Sequence, residues 1–274
     1  MKFKSLIISF SIIIILFASI TILLPRFFTE VEFAQYFRVL TLPLLLFMAL
    51  LLTGTLIFFL LNYRLFSLLE REDWPALSYY LENIIYSKGR YSVRKVRLLA
   101  GSYLVILDYA SVFNLEGKAL HIKPSTVEKN ALIFGAARIL CGKSAEAVEF
   151  FKTHLEKGKK SDRQWIRWFY GFSLLLCGAF VKAEQEFTPL AEHSKNALIC
   201  GLSSYFLEIS ISNHSQNPEE CKAIAENGRS RIVKTFKDTA GWEKEANKMG
   251  SDIHVAIIRK YVDEAGQWLF PKEG

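Results

Sequence analysis

Residues 137–144, with the sequence ARILCGKS, have the spacing of a relaxed phosphate-binding loop. A working loop of that kind follows a strand and contains small, flexible residues, so that its backbone amides can surround the phosphates of a nucleotide. Here the inner residues are arginine, isoleucine, leucine and cysteine, at the end of a predicted helix. The same turn recurs at 177–180 without the lysine. We therefore predict that this segment is a turn between helices and does not bind a nucleotide.

Cysteine and histidine are the other side chains that could do chemistry, and neither type has the spacing of a catalytic or metal site. No two of the four cysteines have the two-residue spacing of a zinc or redox motif, and unpaired thiols favour a reducing compartment. The five histidines are scattered, without an i, i+4 pair. The sequence predicts a protein that is not an enzyme and that has no cofactor and no metal. The cysteines are Cys141, Cys177, Cys200 and Cys221.

A repeated spacing organises the middle of the chain. Two glycines, an alanine and a phenylalanine recur 36 residues later, and Gly101 precedes the first of these glycines by 34 residues. A fixed period of this size is typical of stacked helix pairs. Small residues allow close approach of two helices, and a glycine at the turn adopts a left-handed conformation without steric cost. The first set is Gly135, Gly142, Ala147 and Phe151, and the second is Gly171, Gly178, Ala183 and Phe187.

In its order of glycine, glycine, alanine and aromatic residue, the stretch resembles the tetratricopeptide repeat (TPR). The resemblance covers two copies, at about 128–161 and 164–197, and in part a third at about 94–127. It implies an all-α, TPR-like α-solenoid of about three to four helix pairs over residues 92–210. Residues 63–91 are then a helical stalk and half-repeat, and residues 211–274 form C-terminal capping helices, because an uncapped terminal repeat exposes its apolar face.

Two apolar segments without a charge precede the repeats, at about 5–24 and 39–61. Each is long enough to cross a bilayer as a helix. We predict that residues 1–62 form a membrane anchor of two transmembrane helices joined by a loop at 25–38. A cleaved signal peptide is the alternative for the first segment, but its length and the absence of a clear cleavage site favour an uncleaved anchor.

Lysine and arginine are more frequent beyond the second apolar segment than in the loop between the two segments, which places both termini in the cytoplasm. This predicts a multi-pass protein of the inner (cytoplasmic) membrane.

Leaving out the four basic and two acidic residues of the first 62 positions, 30 basic and 25 acidic residues remain. That excess is too mild and too evenly spread for nucleic-acid binding. A basic run after the membrane is either a solvated helix face or a contact with anionic headgroups. Its members are Lys88, Arg90, Arg94, Lys95 and Arg97.

In the family that the chain resembles, the first helix of each repeat lines a concave groove that binds a partner. Carried over to matching positions, the groove would be apolar and aromatic, suited to an amphipathic helix. The alternative is that its aromatic face is buried by the terminal helices. The predicted groove residues are Lys95, Leu98, Ser102, Lys129, Leu132, Ala136, Trp165, Trp168, Phe172, Leu202 and Tyr205.

These features predict a membrane-anchored scaffold that holds another protein, such as a helical segment or a subunit of a membrane complex, beside the lipid bilayer. The alternative function is a periplasm-facing structural component of an envelope machine. Spirochaete flagellar-collar proteins pair membrane anchors with such repeats, and this chain is similar to them in layout. The sequence does not name the partner or define the oligomeric state.

Overall fold

The structure is a computed structural model that describes residues 3–23, 31–157, 162–249 and 253–271. These residues form α-helices with short π and 3-10 segments, and none of them lies in a strand, which confirms the all-α prediction. The helices are α1 (Phe3–Leu23), α2 (Val31–Glu70), α3 (Trp74–Glu82), α4 (Val93–Val105), α5 (Tyr109–Ile122), α6 (Pro124–Glu128), α7 (Ala131–Leu140), α8 (Ser144–His154), α9 (Arg163–Leu176), α10 (Phe180–His193), α11 (Ala197–Phe206), α12 (Pro218–Phe236), α13 (Thr239–Met249), α14 (Ile253–Ile257) and α15 (Arg259–Leu269).

The chain divides into two compact units, Met1–Tyr80 and Leu81–Gly274. In the first unit, α2 is a single helix of 40 residues. Its part Pro43–Glu70 is long and apolar enough to cross a bilayer, with a mean hydropathy of 2.7, and none of its most apolar window is buried. The predicted second span therefore lies within a longer helix, and the predicted stalk is the continuation of that helix to Glu70.

Among the described residues, Pro43–Glu70 is the one helix that meets this test, so one of the two predicted spans, the second, is supported. The first predicted span is helical as α1, in which an apolar stretch at Ile8–Phe17 is described. The predicted loop at 25–38 is also too long, because α2 already begins at Val31. Residues 31–38 contain neither proline nor glycine to prevent this.

One type of turn ends four helices, namely α2, α4, α7 and α9. In each turn a residue with positive φ is followed by a residue whose N–H donates to the carbonyl five positions earlier, which is the Schellman motif. The left-handed residues are Glu72 (φ 53°), Leu107 (60°), Gly142 (78°) and Gly178 (71°), separated by 35, 35 and 36 positions. The left-handed turns predicted at the two glycines are therefore confirmed, and the same turn occurs at two positions without glycine.

The two turns without glycine have a compensating side chain. Asp73 Oδ1 accepts the N–H of Ala76 at 3.1 Å, and Asp108 Oδ1 accepts the N–H of Ser111 at 3.0 Å. Each aspartate thus caps the helix that follows its turn. The turns with glycine are followed by Lys143 and Ala179, which make no side-chain cap. A favourable cap therefore accompanies the unfavourable backbone conformation.

The glycines before these turns allow close helix contacts. A Cβ on Gly135 would overlap the ring of Phe151, and a Cβ on Gly171 would lie 3.3 Å from the ring of Phe187. Counting back seven positions from each left-handed residue places Ala100, not Gly101, at the equivalent position in α4. The repeat spacing here is thus 35 residues, and the 34-residue offset read from Gly101 is one residue short.

The second unit has one large aromatic and aliphatic core, built mainly from α7 to α15. Consecutive helices from α7 to α12 pack against one another, and α7 also contacts α4 and α9. The C-terminal capping helices predicted over residues 211–274 are present as α12 to α15, and Ile258 separates α14 from α15. α14 packs on α7, and α15 packs on α11 and α13.

Candidate functional site

The aromatic face of α9, predicted to line a groove, lies in the core. Trp165, Trp168 and Phe172 are 4%, 0% and 3% exposed. The Trp168 ring stacks on Phe172 with centroids 5.3 Å apart and meets Phe206 of α11 at 6.0 Å. A partner cannot reach these side chains while the domain keeps this packing.

The C-terminal helices cover this face. The ring of His254 in α14 lies 5.1 Å from Trp165, and Tyr261 in α15 lies 5.1 Å from Phe172. Farther along, the Tyr205 hydroxyl donates to Glu264 of α15 at 3.2 Å. The alternative weighed from the sequence, in which terminal helices bury the aromatic residues, is the arrangement that the structure has.

The other predicted groove residues do not form one open surface either. Lys129 is exposed, and four are half-buried, namely Lys95, Leu98, Leu132 and Tyr205. Ser102, Ala136 and Leu202 are buried. Of the predicted membrane-surface residues, Lys88, Arg90, Arg94 and Arg97 are exposed.

The open part of the predicted groove is a cavity of about 90 Å³ where α4, α7 and α9 begin. Its lining includes Arg97, Lys129, Leu132, Asp162 and His254. Ligand pockets for small molecules usually measure about 300–1,000 Å³, whereas one water occupies about 30 Å³. This cavity therefore has room for a few waters and not for a metabolite.

Hydrogen bonds between polar groups beside the cavity connect the start of α4 to the start of α7. The Arg97 side chain donates to Asn130 Oδ1 and to the Lys129 carbonyl, both at 3.0 Å. The Asn130 amide in turn donates to the Val93 carbonyl at 3.1 Å. These bonds hold the start of α4 beside the start of α7, so Arg97 has a structural role here.

The opposite ends of the same helices expose a row of aliphatic side chains. Val105, Leu140 and Leu176 each stand two positions before a left-handed turn residue and are 48%, 38% and 44% exposed. Because alternate connections of an antiparallel helix array lie at opposite ends, these residues share one edge. We call this edge the turn edge; it comprises residues 102–112, 137–147, 173–183 and 203–221. Contiguous exposed apolar side chains commonly mark interaction surfaces.

Leu107 is the most unusual residue of the turn edge. It is 67% exposed and has a left-handed backbone, where the next two repeats have glycine. For an L-residue that conformation costs roughly 1–2 kcal/mol. The backbone conformation is accompanied by the Asp108 cap of α5, but the exposed side chain makes no contribution to the core. This residue cannot be identified from the sequence, because no local signal predicts a left-handed leucine.

A groove of about 380 Å³ opens beside the turn edge, between α10 and α12. Its lining combines apolar and acidic side chains. Among them are Val181, Pro189 and Ile224, together with Glu184 and Glu220. Its size is in the range of sites that accept a ligand side chain or a short segment. The mixture suits an apolar segment with a basic flank.

The cysteines do not form a reactive centre. Burial raises the pKa of the Cys200 thiol, although Arg231 opposes this, and raises the pKa of Cys221 to about 11. A thiol that stays protonated is a poor nucleophile. Cys177 is exposed and Cys141 is half-buried, both beside turns. Within the described ranges, no cluster of three or more histidine, cysteine or acidic residues could bind a metal.

The fold and these surfaces define an all-helical protein that carries a helix long and apolar enough to cross a membrane. The family described as "Uncharacterised Treponema protein" matches residues 111–271, from α5 to the end of α15, and the chain belongs to this family. A relative from Treponema pallidum (strain Nichols), described as "Uncharacterized protein", is 28% identical over 217 residues. The match covers 77% of this chain and 69% of that relative.

Proposed function

We propose that this protein is a membrane-anchored scaffold that holds a partner protein on the turn edge of its helical domain. The observation that carries the proposal is Leu107, an exposed leucine on a strained backbone at the end of an aliphatic row. In this proposal the partner binds the turn edge and not the concave face that the sequence predicts.

The chemistry of the turn edge defines the partner. The row itself is uncharged, and the segments of this edge contain five acidic and three basic residues. Two of these basic residues, Arg138 and Lys143, form ion pairs with Glu116 and Glu146. The partner segment we propose is aliphatic with basic flanks, for example an amphipathic helix or a subunit of a membrane complex. The acidic residues are Asp108, Glu146, Glu208, Glu219 and Glu220, and the third basic residue is Lys182.

The anchor in this proposal consists of α2 with α1 as a second membrane helix. The length of α1, 21 residues or about 32 Å, matches a hydrocarbon core. The helix pairs that follow form a TPR-like solenoid, supported by the left-handed turns at a spacing of 35 to 36 residues. We place the helical domain on the cytoplasmic side of the inner membrane, because basic residues follow α2.

The test compares proteins that co-purify with the full chain from detergent-solubilised membranes. Leu140→Ser and Leu176→Ser should each lose the same partner without loss of stability, because both side chains are partly exposed. Tyr79→Ser is the matched control, since Tyr79 is 69% exposed on α3 and lies outside the residues of the turn edge. If the control and the turn-edge variants retain the same proteins, the proposed surface is wrong.

The second candidate is a periplasm-facing structural component of an envelope machine. The match to a Treponema family favours it, because that genus belongs to the spirochaetes, whose flagellar-collar proteins have a similar layout. A reporter fused to the C-terminus that is active only in the periplasm separates the two candidates. Strong activity would exclude the cytoplasmic placement and support the envelope component.

A further inference from the structure

The connections at the other end of the repeat helices form a second edge of the domain. The side chains that join α4 to α7 lie there, and the Ser194 hydroxyl, after α10, donates to Gln164 of α9 at 3.1 Å. The same cavity is lined by the starts of α4, α7 and α9, so these three helix starts and the end of α10 lie side by side. We call this second edge the basic edge and define it as residues 88–96, 119–134, 151–157, 162–166 and 190–200.

Charge is sorted between the two edges, although it is spread evenly along the sequence. The basic edge contains ten basic and four acidic residues, whereas acidic residues exceed basic residues on the turn edge. The basic residues are Lys88, Arg90, Arg94, Lys95, Lys123, Lys129, Lys152, Lys157, Arg163 and Lys195. The acidic residues are Glu128, Glu156, Asp162 and Glu192.

The cations of the basic edge are available to a ligand. Apart from Arg163, none of the ten forms an ion pair with a carboxylate in the part of the chain that the structure describes. Lys88, Arg90 and Arg94 are also exposed. Two of the three cations on the turn edge are, in contrast, neutralised within the chain.

Two exposed aliphatic residues accompany these cations. Leu120 and Ile122, in the last turn of α5, are 52% and 60% exposed and precede Lys123. Aliphatic side chains among lysines and arginines are typical of surfaces that lie in the headgroup region of a bilayer. An acidic protein could form ion pairs with the cations, but its binding would not account for the exposed Leu120 and Ile122.

We propose that the basic edge binds the surface of a bilayer that contains anionic lipid, with Leu120 and Ile122 inserted among the headgroups. The basic residues attract the anionic headgroups, and the aliphatic pair fixes the depth of the contact. This inference rests on the membrane anchorage in the proposed function, because α2 keeps a bilayer within reach of the domain. It leaves the turn edge free to bind a partner.

The experiment reconstitutes the full chain into nanodiscs of phosphatidylcholine alone or of phosphatidylcholine with phosphatidylglycerol. A polarity-sensitive dye is attached at Ile122→Cys in a Cys141→Ser, Cys177→Ser background, in which the remaining thiols are buried. The matched control carries the dye on native Cys177 of the turn edge in the Cys141→Ser protein. Spin-labelled headgroups quench a dye that lies at the membrane surface.

In anionic nanodiscs, the dye at position 122 should be quenched severalfold more strongly than the dye at Cys177. The difference should disappear in neutral nanodiscs, and also when Lys88, Arg90 and Arg94 are all changed to glutamate. At about 1 M salt it should shrink, because the screening length falls to about 3 Å. Equal, weak quenching at both positions in both lipids would overturn the proposal. Quenching that ignores lipid charge but is altered by polyglutamate would assign the edge to an acidic protein instead.

Alkaline flotation of the same samples distinguishes failure of the anchor from failure of the edge. A chain that floats but shows no quenching at position 122 retains the anchor and refutes the edge contact. If the chain does not float, the anchorage in the proposed function is wrong. Flotation at neutral pH with vesicles of the same two lipid compositions then decides whether the basic edge binds lipid without an anchor.

Discussion

The left-handed conformation of Leu107 can be tested with two substitutions at one position. Leu107→Ala removes the side chain but keeps an L-residue in the strained turn, whereas Leu107→Gly also removes the strain. Both remove the side chain beyond Cβ at an exposed position, so their difference comes mainly from the backbone. An L-residue costs roughly 1–2 kcal/mol in this conformation. Glycine avoids this cost but loses about 0.5–1 kcal/mol of stability, because its chain entropy falls more on folding.

We therefore expect Leu107→Gly to be more stable than Leu107→Ala by about 0.5–1 kcal/mol, which is about 1–4 °C in melting temperature for a domain of this size. The measurement is thermal unfolding of the full chain in detergent, followed by tryptophan fluorescence. In the middle of an ordinary helix the order is reversed, because glycine is about 1 kcal/mol less favourable than alanine. Ala223→Gly, at an exposed position in α12, is the control and should lower the melting temperature.

If Leu107→Ala proves more stable than Leu107→Gly, the left-handed turn is refuted at this position. The same two variants also test whether the exposed side chain of Leu107 binds the partner. Both should lose the partner equally, because both lack the exposed side chain, although their stabilities differ. Normal partner binding by both would show that the leucine is retained for another reason and would weaken the proposed function.

Three further predictions concern the packing and the thiols. Trp168→Ala should cost about 3–5 kcal/mol in the free energy of unfolding, because the ring is fully buried; a small cost together with lost partner binding would place this face at the surface instead. Gly135→Ala should cost about 1–3 kcal/mol because its methyl group overlaps a phenylalanine ring. Gly171→Ala should cost less, because its nearest neighbours are more than 3 Å away, and equal melting temperatures would contradict the difference. Cys177 should react rapidly with a thiol reagent at pH 8 and Cys200 only after unfolding, as followed by mass spectrometry.

The left-handed turns could be predicted from the sequence only where they contain a glycine. Gly142 and Gly178 indicate left-handed turns because few other residues adopt that conformation cheaply. Glu72 and Leu107 adopt it as well, and neither residue type indicates it. The sequence therefore predicts the period of the helix pairs where glycine is present and places the partial repeat one residue out of register where it is absent.

The aromatic face of α9 shows a different limit. Trp165, Trp168 and Phe172 share one helical face whether that face lines a groove or fills a core, so their spacing cannot separate the two cases. The decision depends on α14 and α15, which lie about 90 residues farther along the chain. Contacts between residues so distant in sequence leave no periodic signal in either segment.

The distribution of charge over the surface is the property that is hardest to predict from the sequence and clearest in the fold. Along the chain, basic residues exceed acidic residues only mildly, but successive connections of an antiparallel array lie alternately at its two ends. Basic residues concentrated in every second connection therefore collect on one edge, while the remaining connections supply the exposed aliphatic row. We propose that one of these two surfaces binds a membrane and the other a protein. In the proposed function the turn edge binds the protein, because Leu107 keeps an exposed leucine at a position where a glycine would relieve strain.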